Sequence, residues 1–119
     1  MVRTAGYRLG ELTKKLMQEK KIPFGEAFRI VQKENNALAE IYTFELQNLG
    51  NFSEIKAQDW QVYFTFVSKK IDDLVKARAD FDNVNFGEAT SLVMKDAELN
   101  GLYNDILRGW NASNKKNAF

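Results

Sequence analysis

The chain has 119 residues, 45% hydrophobic and 28% charged, with a formal net charge of +1 and no cysteine or histidine. That length suits one domain with one ordinary core. The missing residue types exclude zinc fingers, disulfide frameworks and Ser–His or Cys–His catalysis, which leaves carboxylates, Lys, Tyr, Ser and Thr for any chemistry.

Apolar residues recur at helical spacing along most of the sequence. Leu9, Leu12, Leu16 and Met17 form one stripe, so Thr4 to about Lys20 reads as a helix. Thr4 can cap it, while Gly6 and Gly10 weaken its first turns. Pro23 breaks the chain and suits the start of a second helix, which Ala27, Phe28, Ile30 and Val31 carry to about Glu34. Asn36 can cap a third helix through Leu38, Ile41, Tyr42, Leu46 and Leu49, with Gly50 as its stop.

The next pattern is the cleanest. Trp60, Tyr63, Phe64, Val67, Ile71, Leu74 and Val75 make one continuous helical face, beginning between Ser53 and Asp59 and ending near Arg78. Val62 and Phe66 lie off this stripe and widen its apolar surface. Asp80-Phe81-Asp82-Asn83 reads as a loop, a last helical region runs from Phe86 to about Trp110, and the polar tail 111–119 reads as frayed.

An internal repeat underlies these elements. Ile22-Pro23-Phe24-Gly25-Glu26-Ala27 matches Val84-Asn85-Phe86-Gly87-Glu88-Ala89, 62 residues later. The register continues upstream through Leu9/Ile71 and Leu12/Leu74, and downstream through Val31/Val93 and Glu34/Asp96. After a one-residue deletion it resumes at Leu38/Leu99, Ile41/Leu102 and Tyr42/Tyr103. Asn85 and Glu88 have the spacing of a capping box, with Pro23 and Glu26 in the equivalent places. Phe24/Phe86 and Ala27/Ala89 are expected to pack inward, and Asn36 and Asp96 each to cap the following helix. The predicted fold is therefore all-α, a six-helix bundle built from two related three-helix units within a single domain 1–119, the repeat covering about 5–50 and 67–111.

Phe24-Gly25-Glu26-Ala27-x-x-x-Val31-x-x-Glu34-Asn35-x-x-Leu38-Ala39 resembles a short segment common in bacteriophage proteins, among them the C-terminal, scaffold-like region of Mu-like prohead proteases. In that pattern a Ser often caps the helix and an Asn-Pro breaks it; Pro23 and Asn35-Asn36 stand in those places here. The resemblance covers about 20 residues of this chain, twice over if the repeat is counted. It implies a phage or prophage setting and carries over no protease residue.

Charge is unevenly spread. Residues 1–33 hold eight Lys/Arg against three Asp/Glu, and residues 34–66 hold one against five. The basic segment, with Arg3, Arg8, Lys14, Lys15, Lys20 and Lys21, is a candidate polyanion contact. A helix–turn–helix reading would make Asn36 to Gln47 or Asp96 to Arg108 the recognition helix. The first of these has no Lys or Arg and the second has Arg108 alone, so phosphate neutralisation argues against it. Asp80, Asp82, Asn83 and Asn85 fail the EF-hand spacing. Glu34 and Asp96, at matched repeat positions, are the best acid pair for catalysis, yet each sits where a helix boundary or cap is expected.

The functional expectation is a non-enzymatic helical protein–protein interaction module without metal or cofactor. Its partner is a second copy or a host or virion protein, and Phe52, Trp60, Val62 and Phe66 are its interface candidates. The alternative is a small nucleic-acid-binding regulator using the basic segment. The longest uncharged stretch, Trp60 to Ser68, is far below the ~20 residues of a membrane span, so a cytoplasmic protein is expected, or one of the host cytoplasm or virion.

Overall fold

The computed structural model describes residues 2–49 and 55–117. Among them are six helices and no strand: α1 Ala5–Lys20, α2 Phe24–Glu34, α3 Asn36–Asn48, α4 Ala57–Asp82, α5 Phe86–Val93 and α6 Ala97–Asn117. The chain divides into two compact units, Met1–Ile55 with α1–α3 and Lys56–Phe119 with α4–α6. Gly50 and Phe52 lie outside the described residues.

In the first unit α1 packs on α2 and α3, and α2 packs on α3. Thr4 caps α1 as expected, its Oγ1 accepting from Tyr7 N–H at 3.1 Å. The buried line on α1 is Ala5, Leu9 and Thr13, whereas Leu12, Leu16 and Met17 are only half-buried. The core face is therefore turned from the stripe of bulky residues. Small side chains at i and i+4 let α2 and α3 approach closely, and larger ones fill the edges. Thr13 is admitted because its hydroxyl donates to Leu9 C=O at 2.7 Å, which satisfies the only polar group it brings.

The short turn between α2 and α3 differs from expectation. Asn36 is already inside α3, and Asn35 occupies the cap position without capping through its side chain. Its Nδ2 instead donates back to Val31 C=O at 2.9 Å, closing α2.

In the second unit α4 packs on α5 and α6. Tyr63, Val67, Ile71 and Val75 are buried as the stripe requires. α4 runs on through Asp82, so the segment read as a loop is helical. Two local forces extend it: Arg78 pairs with Asp82 four residues on, and Asn83 adopts the left-handed conformation that stops a helix, φ 53°. The N–H groups of Asn83 and Val84 both bond Ala79 C=O. α1 ends the same way at Lys21, φ 54°, whose N–H donates to Met17 C=O at 2.8 Å.

Asn85 caps α5, accepting from Glu88 N–H at 2.8 Å, and Pro23 holds the cap position of α2 without a side-chain bond. Asp96 caps α6, its Oδ1 accepting from Glu98 N–H at 3.0 Å and Leu99 N–H at 3.2 Å. The helix then continues to Asn117, beyond the expected end at Trp110. Aromatic packing supports this extension: Phe64 lies flat on Trp110, centroids 5.1 Å apart and planes 7° apart, and 5.8 Å from Tyr103.

Candidate functional site

The interface candidates on α4 separate in the structure. Trp60 turns into its own unit, where it packs against Gly109 of α6 so closely that a Cβ there would fall inside contact distance of the indole. It also stacks on Tyr63 at 6.3 Å. Val62 is 49% exposed. Phe66, one turn further, is half-buried, with Lys70 Nζ 5.9 Å from its ring centroid. Of the described candidates, Val62 and Phe66 remain on a common side of α4, and Trp60 serves the fold.

The cations of the basic segment do not gather on one stripe. At 100° per residue, Arg8 and Lys15 share one side of α1, Lys14 and Lys21 another, and Lys20 lies off both. Some are engaged locally. Arg8 Nε donates to Arg3 C=O at 3.0 Å, Arg3 sits 6.0 Å from the Tyr7 ring centroid, and Lys14 pairs with Glu11 at 3.5 Å. Arg3, Lys14, Lys15, Lys20 and Lys21 are exposed.

Glu45 is the functional group that periodicity missed. It lies fully buried on α3, while its neighbour Leu46, read as a core residue, is exposed. Its two carboxylate oxygens accept from the first backbone N–H groups of α1: Oε2 from Ala5 at 2.8 Å and Oε1 from Gly6 at 3.0 Å. With Thr4 taking Tyr7 N–H, the first three donors of α1 are all satisfied, and the helix dipole favours the negative charge. Gly6 makes the approach possible, since a Cβ there would come within 2.7 Å of Tyr42 Cε1. Glu45 is thus a tertiary cap; the tight Gly6–Tyr42 register is its only sequence-level trace.

Phe24 and Phe86, expected inside, are 52% and 56% exposed, while Ala27 and Ala89 are fully buried. Each Phe is the first residue of its helix, so its side chain points past the helix end and away from the packed line that Ala begins. Phe81, on the last turn of α4, is 87% exposed. Two aromatic side chains therefore flank the single turn between α4 and α5. In the first unit, α1 and the end of α2 enclose an open groove of about 170 Å³. Leu12, Leu16 and Val31 line it, with Lys15, Glu19 and Glu34 around them.

The acid pair considered for catalysis has local duties: Asp96 caps α6, and Glu34 lies exposed at the groove. Asp82 and Asn85 are occupied by Arg78 and the α5 cap. Among the described residues no three His, Cys, Asp or Glu side chains converge as a metal site, and no helix is long and apolar enough to cross a membrane. Comparison with family models, curated proteins and solved structures finds no match.

Proposed function

We propose that the chain is a non-enzymatic helical protein–protein interaction module built from two related three-helix units. The observation that carries this reading is the corner between α4 and α5, where Phe81 and Phe86 stand exposed either side of one turn. Single exposed apolar residues are ordinary, whereas aromatic side chains concentrated at one corner mark a contact surface. Val62 on α4 adds a second exposed apolar position.

Support for the relation between the units comes from positions 62 residues apart. Lys21 and Asn83 share the left-handed helix stop. Ala5, Leu9 and Thr13 correspond to Val67, Ile71 and Val75, and all six are buried. Ala27 and Ala89 are buried, and one residue out of register so are Leu38/Leu99 and Ile41/Leu102. The setting we propose is a phage or prophage, as a virion-assembly component or an accessory factor binding a host protein; it rests on the short resemblance around Phe24 to Ala39.

A nucleic-acid-binding regulator is the second reading, favoured by the exposure of Arg3, Lys14, Lys15, Lys20 and Lys21. Sedimentation of the chain over a concentration series, alone and with duplex DNA at low ionic strength, separates the two. A mass rising above 13.7 kDa without DNA supports the module. Binding that weakens steeply with salt supports the regulator. If self-association occurs, Val62→Glu and Phe66→Glu report whether α4 provides the contact.

A further inference from the structure

We propose that the groove on the first unit receives Phe81 of a second copy of this chain, a contact that rests on the interaction-module reading and assigns its surfaces. Small-molecule sites occupy roughly 300 Å³ or more, and the groove, at about 170 Å³, is smaller. It is close to the ~150 Å³ apolar cavity that holds one benzene molecule. The occupant it fits is one aromatic ring presented from a protein surface. Leu12, Leu16 and Val31 supply the apolar walls such a ring needs.

The chain offers that ring itself. Phe81 stands 87% exposed on the rigid last turn of α4, so little side-chain freedom is lost on insertion. Its surroundings complement those of the groove. Arg78, one turn before Phe81, gives one of its five donors to Asp82 and has others to meet Glu19 and Glu34. Asp80, exposed beside Phe81, is the counterpart of Lys15.

The repeat register sharpens the match. Residues 62 positions after Leu16 and Glu19 are Arg78 and Phe81, so the corner of the second unit carries the plug where the first unit carries the socket. Plug and socket are different surfaces of one chain. The contact is therefore heterologous, and each copy can both give and receive.

Sedimentation velocity of the full chain with engineered variants tests this. Wild type is expected to exceed 13.7 kDa with rising concentration. Phe81→Asp, at a site too exposed to affect folding, is expected to weaken association about tenfold or more. Leu16→Asp removes the socket, and Glu34→Lys reverses its rim charge should Leu16→Asp fold poorly. Mixing Phe81→Asp chains with either socket variant pairs one intact socket with one intact plug and is expected to give a 1:1 dimer.

Two results overturn the proposal. One is a wild-type chain that stays monomeric at every concentration. The other is association unchanged in Phe81→Asp and in the socket variants. The second leaves the interaction module standing and moves its contact to another surface, such as Val62 and Phe66.

Discussion

The two units solve the same packing problem differently where the third helix crosses the first. In unit 1 the crossing falls at the start of α1, whose N–H groups have no preceding turn to bond, and α3 brings Glu45 to them. In unit 2 the corresponding residue of α6 is Ile106, fully buried. There α4 has begun ten residues earlier in register, so its backbone at this level is already paired within the helix. One unit needs a carboxylate at its centre, and the other needs a hydrocarbon. The identity of a core residue is thus set by where the neighbouring helix starts, since a helix interior offers no orphan donors and a helix end offers several.

Exchanging the two residues puts this contrast under the greatest stress. Ile106→Glu places a carboxylate against a continuous helix with no free donor, and a loss of about 3–5 kcal/mol is expected. Glu45→Ile leaves the Ala5 and Gly6 N–H groups buried and unpaired, at about 1–3 kcal/mol each. Amide hydrogen exchange on the full chain reads the units separately. The first variant should strip protection from α4–α6, and the second from the first turn of α1 and then from unit 1. Equal loss across both units for either variant would contradict the comparison.

The close approaches give the next largest effect. Gly109→Ala drives a methyl into the Trp60 indole, which is packed against Tyr63, and a cost of about 1–3 kcal/mol is expected in urea unfolding. Gly6→Ala meets the half-buried Tyr42 ring, which has room to shift, and gains helix propensity of about 1 kcal/mol. Its net loss should be the smaller of the two.

The matching helix stops give the smallest effect, of opposite sign. Lys21 holds the left-handed conformation that Asn83 holds more cheaply, so Lys21→Asn should raise the unfolding midpoint by about 1 kcal/mol or less.

Helix positions were legible because caps and breakers act locally. Thr4, Pro23, Asn85 and Asp96 each mark a start, and each acts within three residues of itself. The end of α4 was not legible by the same logic: Asp80, Asp82 and Asn83 have loop composition, but Arg78 turns Asp82 into a helix-stabilising partner. Glu45 was hidden for a deeper reason. Hydropathy assigns a carboxylate to solvent and Leu46 to the core, and only a helix end forty residues earlier in the chain reverses that. On α4 the apolar surplus was visible, yet which members it spends internally depended on Gly109, because only a residue without a side chain admits Trp60. The exposure of Phe24 and Phe86 was likewise set by helix-end direction, which a matched hexapeptide does not reveal.

The buried cap on α1 also imposes a schedule on synthesis. Glu45 follows Ala5 by forty residues, so at ~5–20 residues per second the acceptor emerges seconds after the donors. Helix formation itself takes about a microsecond. During that interval the first turn of α1 is held by water and Thr4 alone. It can lock only when the last helix of its unit has left the ribosome. Unit 1 therefore closes from its far end backwards, while α4 draws its backbone bonds from residues already made.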